Sequence, residues 1–154
     1  INREKLLYIL SDCTRIAEKK GIPFGNIIDP LGKAVERCYS LFKFTKEKGK
    51  EEDYFNAFLK AVWSEGQHGY LDKTIKNVME KIGLNWEEAK KELDNNDWRE
   101  EIEGNRLALY EVGKWGPPTM ILKNQDKKVI LSVWGQDRIW LIEEALYLMQ
   151  ERNK

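Results

Sequence analysis

Helical spacing of apolar residues runs from the start of the chain to Gly113 and stops at two consecutive prolines, Pro117 and Pro118, in "KWGPPTM". Proline has no N–H and biases the residue before it away from helix, so no regular helix crosses this point. The chain therefore divides into a helical region, residues 1–113, and a C-terminal portion of different period, residues 114–154. The two are expected to pack as one unit, because no linker, repeat or low-complexity segment separates them.

Six helical patterns precede the prolines. The first, "EKLLYILSDCTRIAEKKG", carries Leu6, Leu7, Leu10, Cys13, Thr14 and Ala17 on one face and closes on Gly21 as a C-terminal cap. The second is read as one helix over 29–49, with Asp29 as cap, Pro30 in the first turn and Gly49 as the stop. Further helices are expected over 51–65, 73–82, 86–93 and 98–112, and Asn85 with Glu88 has the spacing of a capping box.

After Pro118 the period changes. "TMILK" and "KVILSVW", joined by "NQDK", predict a β-hairpin, and "QDRIWLIEEALYLMQERN" predicts a closing helix. The fold class is α+β, mostly α. A lone hairpin is marginal, and the unbroken apolar runs point to burial on both faces. Nothing in residues 1–113 reads as a strand that extends this sheet, so its completion is expected from further chain or from another molecule.

Composition excludes several functions. Twenty-six basic residues balance twenty-six acidic ones with no basic stripe, so nucleic acid is not expected as a partner. No apolar run is long enough to span a bilayer and the first residues lack a signal-peptide pattern, which favours the cytoplasm; a chain opening on Ile is expected to have lost its true start. Cys13 and Cys38 lie in helical patterns with no CxxC and read as two buried, reduced thiols. His68 is the only histidine and reads as a loop residue, which leaves no catalytic triad and no metal site. Ser11 and Ser40 fall inside helices and are not candidates for catalysis. Trp63, Trp86, Trp98 and Trp140 are assigned to the core, whereas Trp115 and Trp134 flank the proline turn and are candidates for lining a site. Glu36 and Arg37 are expected in solvated or interhelical pairs, and Arg106 is a candidate buried partner.

The segments "GIPFGNIIDPLGKAVERCYSLF", "AVWSEG", "GLNWEEAKKEL", "DWREEIEGNRLALYEVGKWGPPT" and "WGQDRIWLIEEAL" together resemble the DsbA-like thioredoxin superfamily, in the branch of 2-hydroxychromene-2-carboxylate isomerases and kappa-class glutathione transferases. The resemblance implies a thioredoxin-like fold split by a helical insertion (1–113), with Pro118 as a cis-proline at the start of a strand. It also implies that the chain is the carboxyl-terminal part, lacking the first strand-helix-strand and the catalytic serine or CxxC carried there. No catalytic residue is therefore assigned.

The implied cofactor is glutathione. Pro117 would pair its backbone with the cysteinyl part in the manner of an added strand. As a proline it keeps the carbonyl and lacks the N–H. Pro118, Gln136 and Asp137 complete the implied site: amides near Gln136 and Asp137 face a carboxylate, and the Asp137 carboxylate faces the γ-glutamyl ammonium. The function so implied is part of a glutathione-dependent isomerase or transferase acting on an aromatic or unsaturated small molecule. The alternatives are a non-catalytic thioredoxin-like binding module, such as half of a tandem protein, and a DsbA-type thiol-disulfide oxidoreductase. A homodimer, or completion by an N-terminal segment, is the expected assembly.

Overall fold

The computed structural model describes residues 2–151 and divides the chain into two compact units, Ile1–Trp98 and Arg99–Lys154. The division falls at the start of a helix and not at 113, so the last helix of the expected helical region belongs with the hairpin.

The first unit holds α1 (Arg3–Lys20), α2 (Lys33–Ser40), α3 (Phe42–Glu47), α4 (Glu51–Trp63), α5 (Asp72–Lys81) and α6 (Trp86–Glu92). Its core is built by α2 to α6: Leu41, Tyr54, Val62, Ile75, Met79 and Ala89 are fully enclosed, with Phe58 and Trp86 beside them. Tyr54 keeps its hydroxyl satisfied there by donating to the Cys38 carbonyl at 3.0 Å. Gly69 is where this packing is tightest, since a Cβ would meet Phe58 at 2.8 Å and Val62 at 3.1 Å. The caps behave as read at two ends. Gly21 is left-handed (φ 64°) and closes α1, and the Asn85 side chain accepts from the Glu88 N–H at 3.1 Å, a bond worth about 1 kcal/mol to α6.

Two expectations for this unit are corrected. The single helix over 29–49 is two helices broken at the buried Leu41, and it starts at Lys33. Asp29 accepts from the Leu31 N–H at 2.9 Å, forming a local turn that competes with a helical start, so Asp29 and Pro30 precede α2 instead of opening it. Cys13 is exposed and only Cys38 is buried, because α1 buries Ala17 alone; Leu6 and Leu7 of the expected apolar face are open to solvent. Arg37 forms an interhelical pair, as expected, and is itself buried: it donates to Asp72 of α5 at 2.6 Å and to Asp94 at 2.9 Å.

The second unit contains α7 (Trp98–Glu111) from Arg99 onward, strands β1 (Thr119–Lys123) and β2 (Val129–Trp134), a 3-10 turn (Gln136–Arg138) and α8 (Ile139–Glu151). The strands pair antiparallel, Thr119 opposite Trp134 and Leu122 opposite Leu131, with an irregularity at Leu122/Lys123. The turn between them closes through Asn124 and a left-handed Lys127 (φ 62°). α8 packs on both strands, and the Ser132 hydroxyl donates to the Val112 carbonyl at 3.3 Å, which ties the hairpin to the end of α7. Burial on both faces is not observed: Val133 alone is buried in the strands, and Val129 and Ile130 are exposed. Trp140, assigned to the core from the sequence, is 55% exposed on α8. The expected helix extends past Glu151 to residues that lie outside those described.

Candidate functional site

The proline turn and the start of α8 meet through one backbone hydrogen bond. Pro118 enters β1 where a ladder N–H is not required, and its carbonyl accepts from the Gly135 N–H at 3.0 Å, extending the ladder one step past Thr119 and Trp134. A residue that accepts but never donates suits this place, which accounts for a proline at the mouth of a sheet. The Pro117–Pro118 peptide is cis and both residues are exposed. The turn before them is closed by the Thr119 hydroxyl, which donates to the Gly116 carbonyl at 2.7 Å.

Gly135 then turns the chain from strand into helix. Its φ of 104° with ψ of 135° lies in a region open essentially to glycine, and a Cβ there would fall 2.5 Å from Asp137 Oδ1. The result is that Gln136 and Asp137 follow directly on the residue bonded to Pro118. Asp137 is exposed and its carboxylate accepts from the Arg138 guanidinium, so it is partnered, though by an exposed side chain. An exposed pair of this kind is worth about 0–1 kcal/mol and yields readily to a competing cation.

Trp115 and Trp134 lie against each other on the same turn, with ring centroids 5.4 Å apart and planes tilted by 43°. Gly116 lies against this pair, and a Cβ on it would make only ordinary contact, 3.6 Å, with Trp134 Nε1. Arg106 is not a buried partner: it is exposed on α7, holds Glu103 at 2.6 Å and lies over the Tyr110 ring. Gly116, Thr119 and Gly135 shape the site and were not singled out from the sequence. The glycines flanking Trp115 and Trp134 were the available signal.

An exposed proline turn is thus held beside the loop that starts the last helix. A family model of DsbA-like thioredoxin domains matches residues 2–147, and the chain belongs to that family. Within it, the chain resembles the isomerase branch: the solved structure of a selenomethionine 2-hydroxychromene-2-carboxylate isomerase superposes with a TM-score of 0.76 at 26% identity, covering 98% of this chain and 70% of that one. No curated protein matches the sequence.

Proposed function

We propose that the chain forms part of a glutathione-dependent isomerase or transferase of the 2-hydroxychromene-2-carboxylate isomerase type. The observation that carries this reading is the Gly135-to-Pro118 hydrogen bond, which brings the proline turn and Asp137 into one locality. The likeness to the isomerase supports it.

The residues fit glutathione in part. Pro117 is exposed and offers a carbonyl to the cysteinyl N–H, but no donor in return, a net loss of about 0.5–1.5 kcal/mol against a residue with an N–H. Asp137 offers the anion for the γ-glutamyl ammonium, after releasing Arg138. The first amides of the Gln136 turn lack helical partners, as at any helix start, and complement a carboxylate. Bound glutathione would supply a thiolate nucleophile toward an unsaturated substrate. The chain's own residues in this reading bind and orient; none is assigned a proton-transfer role. The reading places the activity in the cytoplasm, where glutathione is kept reduced.

One observation favours the non-catalytic module as a second reading, namely the missing N–H at Pro117. An assay of 2-hydroxychromene-2-carboxylate isomerisation with and without glutathione separates the two. Glutathione-dependent turnover is expected of the full-length protein that includes this chain, and its absence there, together with absence of glutathione binding, would leave the module.

A further inference from the structure

We infer that the first unit carries a small-molecule site of its own, a cationic cavity between α4 and the end of α5 that binds phosphate monoesters with a short apolar body. None of its lining residues belongs to the proline turn, so it stands independently of the glutathione reading. The cavity holds about 400 Å³, at the lower end of the range of about 300–1,000 Å³ for small-molecule sites. Its lining sets three ammonium groups, Lys50, Lys60 and Lys81, against one carboxylate, Asp53. Ala57 and the half-buried Ile82 supply apolar surface, and the exposed Asn56 side chain adds amide donors.

Two of the three lysines are available to a ligand. Lys60 makes no ion pair or hydrogen bond through its side chain among the described residues. Lys81 holds Glu65 at 3.4 Å in a pair that reaches water, and Glu65 keeps a second donor, Gln67 Nε2 at 2.8 Å, when Lys81 turns away. Lys50 is tied to Asp53 at 2.8 Å and neutralises the one anion of the lining. Helix dipoles favour lysine in the last turns, where Lys60 and Lys81 sit, but disfavour it at the N-cap of α4, which Lys50 occupies. The three cations therefore share the cavity and not a common helix-end cause.

The two uncompensated charges decide the ligand class. A phosphate monoester has a second pKa of about 6 and is a dianion above pH 7, whereas a simple carboxylate carries one charge. Lysine meets phosphate as a point charge and requires no forked geometry. The apolar surface of Ala57 and Ile82 then favours an ester with a hydrocarbon body over inorganic phosphate.

The test is an NMR titration of the chain at low salt and about pH 7.5 with n-butyl phosphate, read at the Ile82 methyl and Asn56 side-chain amide signals. Both signals should shift, and n-butyl phosphate should bind about threefold more tightly than butyrate or inorganic phosphate. Lys60→Gln should weaken binding about threefold with an unchanged melting temperature, and Lys60→Arg should retain it. Lys43→Gln, on an exposed lysine of α3 outside the cavity, should have no effect. No shift at Ile82 and Asn56, or equal binding of the three anions, would overturn the site. Equal losses in Lys60→Gln and Lys43→Gln would also overturn it, by showing attraction to surface charge at large. Shifts of the same signals with protein concentration alone would overturn it in favour of contact with a second copy.

Discussion

Arg37 is buried while both carboxylates that it holds are exposed: Nη2 donates to Asp72 at 2.6 Å and Nε to Asp94 at 2.9 Å, and Nη1 meets the Tyr70 carbonyl. Removing the guanidinium lets the carboxylates rehydrate, so the loss is that of charge-assisted bonds and not of a stranded buried charge. Arg37→Met is expected to destabilise the protein by about 2 kcal/mol in urea denaturation. A loss below about 0.5 kcal/mol would place this cluster with ordinary surface pairs.

The same cluster sets an acid dependence. The Arg37 hydrogen bond is the main cause holding the Asp72 carboxyl below its usual range. A folded value below the unfolded one stabilises the fold above the usual aspartate value of about 3.9 and loses that contribution as pH falls through the folded value. The stability gap between the wild type and Asp72→Asn should be full near neutrality and close below about pH 3.9. A gap independent of pH would contradict the pairing.

The thiols should differ sharply. Burial pushes the Cys38 thiol up to about 12, whereas Cys13 is exposed on α1. Since the thiolate is the reactive form, a disulfide reagent at pH 8 is expected to modify one thiol in the native chain and two after denaturation. Rapid labelling of both in the native state would contradict the burial of Cys38.

Gly135→Ala tests how the turn is built. The Asp137 side chain would swing away from a new Cβ, but the positive φ of 104° remains strained for alanine. A loss of about 1–3 kcal/mol is expected in denaturant titration. A neutral result would mean that the chain relaxes here without cost.

Much of this was legible in the sequence where the cause is local. Gly21 and Asn85 act on backbone groups within a few residues, and the change of period after Pro118 marks the hairpin directly. Asp29 and Pro30 misled because a capping side chain and a turn-forming one use the same atoms, and Leu41 breaks a helix with no sequence mark at all. Cys13 and Trp140 have the spacing of core residues, yet spacing does not say whether anything packs on the face. At the site, Pro118 and Asp137 were readable as residues, while the bond from Gly135 that joins their two loops depends on strand register.

The central claim is that Asp137, brought beside the proline turn by Gly135, is an anchor for glutathione. Calorimetric titration of the protein and of Asp137→Asn tests it most directly. A charge-assisted hydrogen bond is worth about 1.5–3 kcal/mol, less up to about 1 kcal/mol for displacing Arg138, so the variant should bind glutathione about tenfold more weakly. Equal affinities would contradict the claim and leave Asp137 as a helix-start residue paired with Arg138.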